Sequence, residues 1–196
     1  ARKHQLILCH DAAYSEMAYD GYLPESILAV EGAKDVAIEY HSLSKTYNMT
    51  GWRIGFAVGC RKVLSGLGRI KTNLDSGVFQ AVQEAAITAL SGPQECVEAM
   101  RAVYRERRDA LVDGLSALGF AVDKPKATFY VWISVPKGHT SASFASALLS
   151  DVGIVMTPGT GFGQHGEGYI RAALTVDVSR IKEAVERIAA SNLKPQ

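Results

Sequence analysis

Cysteine is scarce in this chain of 196 residues: there are three, Cys9, Cys60 and Cys96. An odd number without paired spacing gives no disulfide framework. None forms a CxxC pair, and no histidine joins them at metal-ligand spacing, so no metal site is expected. That usage fits a reducing cytoplasm. No apolar run approaches the roughly 20 residues needed to span a bilayer, so no membrane partner is expected. Neither sign of charge dominates, with 21 Lys and Arg against 20 Asp and Glu. Without a basic stripe, nucleic acid is not an expected partner. Arg105, Arg107 and Arg108 cluster, but Glu106 and Asp109 lie among them, which reads as a solvated helix face. The start, Ala1-Arg2-Lys3-His4-Gln5, has no signal-peptide pattern and no initiating Met, and reads as an entry in mid-fold. No G-x-S-x-G elbow is present, which weakens a Ser/His/Asp hydrolase reading.

What is present is enough apolar material for a real core, 47% of residues. Leu6–Cys9 is an apolar run suited to a buried strand, followed by a loop over His10–Glu16. Val36–Tyr40 and Ile54–Val58 read as two more strands. Buried strands alternating with connections predict an α/β sheet covered on both faces. The spacing of Val78, Val82, Ala85 and Ala89 predicts a helix over 75–90, stopped at Ser91-Gly92-Pro93. A second helix follows over 94–118, with Gly119 as its cap. After it come a strand at 129–135, a short helix at 143–149 and a short strand at 154–156. A glycine-rich loop at 157–168, a strand at 169–175 and a closing helix at 179–190 complete the pattern. The composition shifts near Ser91–Pro93, which divides the chain into residues 1–92 and 93–196.

The densest chemistry lies in His41-Ser42-Leu43-Ser44-Lys45-Thr46-Tyr47-Asn48-Met49-Thr50-Gly51-Trp52-Arg53-Ile54-Gly55. It leaves one apolar strand, crosses a polar loop and enters another. Loops at the carboxyl ends of strands in open α/β sheets are where ligands bind. An arginine fork and a serine hydroxyl suit a phosphate. A lysine shielded from water and near other cations can lose its proton and attack a carbonyl. Taken alone, the same loop also reads as solvated surface.

Ser42-Leu43-Ser44-Lys45 followed by Gly51-Trp52-Arg53-Ile54-Gly55 resembles the signature of class I/II aminotransferases of fold type I. The resemblance implies that Lys45 carries pyridoxal 5'-phosphate as a Schiff base and, once freed by substrate, shuttles a proton. It implies that Ser42 and Arg53 hold the cofactor phosphate. Asp11-Ala12-Ala13-Tyr14-Ser15-Glu16 is similar to the family's D-x-x-Y-x-E segment. Asp11 would then face the protonated pyridine nitrogen, and Tyr14 would hydrogen-bond the phenolic oxygen. Gly168-Tyr169-Ile170-Arg171-Ala172-Ala173-Leu174-Thr175 resembles the strand whose arginine takes the substrate carboxylate, here Arg171. Phe129-Tyr130-Val131-Trp132 also matches, with Ala127 standing where many relatives have glycine. Gly159-Thr160-Gly161-Phe162-Gly163 has no helix opening after it and no acidic residue at ribose distance. It reads as a flexible loop beside the substrate pocket.

The implied fold is α/β. Residues 1–92 would be the rest of a large cofactor-binding domain, a mainly parallel sheet with helices, and 93–196 an α+β small C-terminal domain. The implied reaction moves an amino group between an amino acid and a 2-oxo acid, within a homodimer. The segments 71–80 and 157–163 look most like the LL-diaminopimelate aminotransferases and close bacterial relatives. That implies LL-diaminopimelate with 2-oxoglutarate, a step of lysine biosynthesis. Because the family's earlier part is missing, these residues are expected to be a fragment with exposed apolar sheet faces and weak cofactor binding. Two other readings stay open: a pyridoxal-phosphate β-lyase or related enzyme, and a catalytically silent fragment.

Overall fold

The apolar run at 36–40 becomes the middle strand of a three-stranded sheet. In this computed structural model, which describes residues 1–195, β1 (Leu8–Asp11) pairs in parallel with β2 (Ala37–Ser42). On its other side β2 pairs with β3 (Gly55–Gly59), antiparallel. The direction of β3 follows from its connection. Leu43 N–H donates to Ile54 O at 3.3 Å, so the two ends of the connection stay side by side and the strands must run opposite ways.

Ala37 and Ile38 are fully buried, as expected for a central strand. The expected burial of Leu6–Cys9 does not hold. Leu6 and Ile7 are each 57% exposed, and the strand begins only at Leu8. Leu6 and Ile7 precede the strand, and β1 lies at the edge of its sheet among the described residues. Phe56 and Val58 of β3 are also exposed, so the sheet is not covered on both faces.

Glu39 is the exception within β2, a carboxylate only 3% exposed. It accepts from Ser26 Oγ (2.8 Å) and Ile27 N–H (2.9 Å), and His10 Nδ1 and His41 Nε2 approach it at 2.8 and 2.7 Å. Burial pushes its carboxyl upward, but the hydrogen bonds from Ser26, His10, His41 and Ile27 outweigh burial. The net result is a fall from 4.5 to about 2. One side chain thereby ties the end of β1, the loop before the 3-10 turn at Ile27–Ala29 and the end of β2.

The short helix α1 (Leu43–Thr46) follows β2 directly, then a 3-10 turn at Thr50–Trp52 leads into β3. Helix α2 (Arg61–Leu74) has no buried residue. The next helix, α3 (Gln80–Ser91), starts later than its periodicity predicts. Asp75 takes Gly77 N–H at 2.8 Å and Lys71 at its side chain, and Gly77 has φ +96°, so the backbone there cannot be helical. Leu43, Met49 and Ala86 form a small core here, joined by Tyr47, Ile54, Ala85 and Ala89.

Helix α4 (Glu95–Ala117) matches expectation to within a residue at each end, and Gly119 beyond it has φ +87°. The chain divides into two compact units, Ala1–Met100 and Arg101–Gln196, inside this helix. Arg108 does not sit on a solvated face. It is 1% exposed and donates to Pro125 O at 3.1 Å and to Asp109. Burial of its stem is possible because these acceptors satisfy the guanidinium.

The second unit holds an antiparallel sheet in the order β4 (Tyr130–Ser134), β6 (Tyr169–Ala173), β5 (Thr157–Pro158). Alternation decides its faces. Val131 and Ile133 of β4, with Ile170 and Ala172 of β6, are buried. Ile133 and Ile170 meet Leu115 and Phe120, together with Phe144 and Leu148 of α5 (Ser141–Val152) and Ile188 of α6 (Val178–Ala189). Helix α5 begins two residues earlier than expected because Thr140 and Ser143 form a reciprocal cap. The expected strand at 154–156 is displaced to Thr157–Pro158. Gly153 (φ +66°) caps α5, and Ile154 N–H returns to Leu148 O at 2.9 Å, which holds that stretch to the helix end.

The glycine-rich loop is tied down rather than free. Ser141, wholly buried, accepts from Gly168 N–H (2.9 Å) and Tyr169 N–H (3.2 Å), and Glu167 accepts from Ser141 N–H (2.9 Å). A Cβ built on Gly159 would lie 2.0 Å from Gly166 O, so glycine there answers a backbone crossing and not a phosphate.

Two variants test these constraints. Glu39→Gln keeps the shape and removes the charge, and should cost about 1–3 kcal/mol of stability near neutral pH. Stability held by the ionised form is complete above pH 4.5 and is lost as pH falls through about 2. In urea titrations the gap between the two proteins should therefore narrow as pH drops from about 7 to about 3; a constant gap would show that the charge contributes nothing. Gly159→Ala should lower stability by about 1–3 kcal/mol, read as a fall of several degrees in the thermal melt. An unchanged melt would contradict the backbone crossing.

Candidate active site

Lys45 lies on a single helical turn that opens where β2 ends. Ser42 caps it, its hydroxyl accepting Ser44 N–H at 3.2 Å. Leu43, Ser44 and Thr46 face inward and are buried, which leaves Lys45 half-buried on the remaining side. Its Nζ lies 5.7 Å from the centroid of the Tyr14 ring. No hydrogen bond or ion pair engages this amine among the described residues.

Asp11 is the last residue of β1, and its side chain is exposed without a hydrogen bond or ion pair among the described residues. The ladder runs one step further, with Ala12 N–H donating to Tyr40 O at 2.9 Å. Two turns then carry the chain past Tyr14, with Ser15 N–H on Ala12 O and Met17 N–H on Tyr14 O, anchored by the fully buried Met17. The Asp11 segment thus reaches Lys45 through Tyr14.

Arg53 stands in left-handed backbone at φ 53°, an uncommon state for a side-chain-bearing residue. Its Nη1 donates to Thr50 O at 3.0 Å, and the side chain is exposed. Thr50 Oγ1 donates to Ser44 O at 3.1 Å, which stitches the Arg53 turn to the Lys45 turn. Gly55 sits where a Cβ would come 2.5 Å from His41 O, so strand pairing requires it to be glycine. Ser42, Lys45 and Arg53 therefore belong to one knitted segment, with Tyr14 brought beside it.

Arg171 belongs to the second unit. It lies on the outer face of β6, opposite Trp132 on β4 and Thr157 on β5. Its guanidinium carbon is 4.0 Å from the centroid of Tyr130 and 3.9 Å from that of Phe162. No acidic side chain pairs with it among the described residues.

Motif reading missed Glu39 and its partners. Its signal was available: a carboxylate inside an otherwise apolar strand costs free energy unless several donors meet it. Glu39 sits two residues before His41, and His10 immediately precedes Asp11, so the clamp holds both ends that bear functional groups. Phe162 gave no signal in sequence, since an aromatic in a glycine-rich loop has no periodicity to betray its partner.

The family described as "Aminotransferase class I and II" matches residues 1–188. A curated relative called LL-diaminopimelate aminotransferase, from Syntrophobacter fumaroxidans, is 58% identical over 188 residues, covering 96% of this chain and 48% of its own length. The protein of that name from Dehalococcoides mccartyi is 54% identical over 196 residues, covering all of this chain and 50% of its own. Among solved structures, substrate-bound BacF from Bacillus subtilis superposes with a TM-score of 0.94 at 38% identity, covering 99% of this chain and 50% of that one. A probable N-succinyldiaminopimelate aminotransferase from Thermus thermophilus gives a TM-score of 0.90 at 38% identity, covering 96% of this chain and 50% of that one. The chain spans about half the length of the curated relatives it matches. Its architecture is part of the fold type I aminotransferase fold. With the family match running over residues 1–188 and identity above one half to full-length relatives, the chain belongs to the class I and II aminotransferases, a family that depends on pyridoxal phosphate.

Proposed function

We propose that this chain carries the amino-transfer machinery of a pyridoxal-phosphate enzyme, moving an amino group between an amino acid and a 2-oxo acid. LL-diaminopimelate and 2-oxoglutarate are the pair we favour, on the strength of relatives bearing that activity in their names at 54–58% identity. The observation that carries the reading is the Lys45 amine, half-buried, unpaired among the described residues and 5.7 Å from the Tyr14 ring.

The donor set fits the cofactor group by group. An aldehyde requires a free amine, which is Lys45. A phosphate requires a cationic fork and a hydroxyl, which are Arg53 and Ser42 on the same knitted segment. A protonated ring nitrogen requires a carboxylate, and Asp11 has no competing partner among the described residues. Tyr14 offers a phenol beside Lys45 for the ring oxygen.

Bound pyridoxal phosphate supplies an electron sink for the pair left when the substrate α-C–H bond breaks. Lys45 Nζ takes that proton, and its position on a capped turn keeps it within reach through the cycle. Asp11 would hold the ring nitrogen of the bound group protonated through its negative charge. Arg171 takes the substrate carboxylate through two parallel N–H donors.

Residues 1–92 are, on this reading, the remainder of the large cofactor-binding domain, and 93–196 the small domain. We further propose a cytoplasmic homodimer. Sparse cysteines without paired spacing support that location.

Incubation with saturating pyridoxal phosphate, then borohydride and peptide mass analysis, tests the reading. The reduced adduct should fall on the peptide bearing Lys45 and vanish in Lys45→Ala. Label on other lysines with Lys45 unmodified would refute the assignment. In a protein that turns over, Lys45→Ala should lower amino transfer by at least about 10²–10⁴-fold, measured as glutamate formed from 2-oxoglutarate.

A further inference from the structure

Arg171 is held in an unusual way for a charge on a mostly apolar sheet. A guanidinium there is costly unless something compensates it, and the usual compensation is a carboxylate. Here two aromatic rings stand in that place, at 4.0 Å and 3.9 Å from the guanidinium carbon. A ring interacts with the flat face of the ion and leaves the in-plane N–H donors unengaged. An aspartate or glutamate would instead occupy those donors and compete with any incoming carboxylate.

We infer that Phe162 and Tyr130 are positioning residues for the Arg171 carboxylate site, and that Phe162 sets its affinity. This rests on the reading of Arg171 given above and adds the device that keeps its donors available.

The surroundings are built to keep both rings in place. Trp132 meets Phe162 edge-on at 5.4 Å and Tyr169 at 6.4 Å, so it stands against the Phe162 ring. Phe162 ends a 3-10 turn that starts at Gly159, where the backbone crossing with Gly166 fixes the loop. On the other side, Tyr130 packs on Phe129 with centroids 4.9 Å apart. Tyr130 N–H donates to Thr128 Oγ1 at 3.0 Å, and Thr128 itself sits at φ +68°. A β-branched residue in that region is a strained outlier, kept only where the surroundings impose it. Phe162 is 47% exposed, so its truncation leaves the buried core intact.

The test uses the chain with isotope-labelled arginine and succinate as the carboxylate probe. In the free protein the Arg171 Nε–H resonance should be displaced by the two ring currents, and the displacement should shrink in Phe162→Leu. Succinate should bind about tenfold more weakly to Phe162→Leu, the effect of losing one of two ring contacts, and Phe162→Tyr should restore both affinity and shift. Arg171→Leu serves as the control for the underlying reading. If Arg171→Leu abolishes binding while Phe162→Leu matches the parent, the carboxylate site stands and the positioning role is overturned. If Arg171→Leu binds succinate as well as the parent does, both the reading and the inference fall. Failure of Phe162→Tyr to restore what Phe162→Leu loses would also overturn the inference, since the ring face is then not what matters.

Discussion

A single buried carboxylate holds the first unit in the shape its chemistry needs. Glu39 is fixed by donors from three separate stretches: His10 at the end of β1, Ser26 and Ile27 from the following loop, and His41 on its own strand. Each bond is charge-assisted, and together they outweigh the cost of burying an ion. Parallel pairing alone would align β1 and β2 but leave their carboxyl ends free to fray. The clamp acts at those ends, next to Asp11 and two residues ahead of the turn that carries Lys45.

The second unit treats its own charge in the opposite way. Glu39 is saturated with donors, which makes it a structural group and removes it from chemistry. Arg171 receives two rings and no acceptor among the described residues, which on our inference leaves its N–H donors available. The difference lies in the partners: hydrogen-bonding groups consume valence, whereas π faces do not. A charge clamped by hydrogen bonds builds the scaffold, and one cradled by rings can still bind an anion.

Much of the local organisation was legible in the chain. The periodicity from Gln94 to Leu118 and the glycine after it gave α4 almost to the residue. The strand read at Phe129–Val135 is β4, Tyr130–Ser134. The failures have local causes that hydrophobic period does not see. Asp75 and Gly77 divert the backbone ahead of α3, and Gly153 commits Ile154 to the end of α5. Leu6–Cys9 had the right composition for a buried strand, but composition cannot say that the strand is an edge. Arg108 looked solvated because its helix neighbours are charged, whereas it is buried, and besides Asp109 it reaches a carbonyl 17 residues away.

Sequence by itself determined which chemical groups are offered and in what order: an amine three residues past a capping serine, an arginine closing the next turn, a carboxylate at the end of an apolar run. These depend on neighbours a few residues apart, so they survive being read as a string. Tertiary structure alone decided that β3 runs antiparallel, that Glu39 receives donors from as far as 29 residues away and that Phe162 reaches Arg171. Such pairings follow from strand register and loop closure, where many residues together fix one distance.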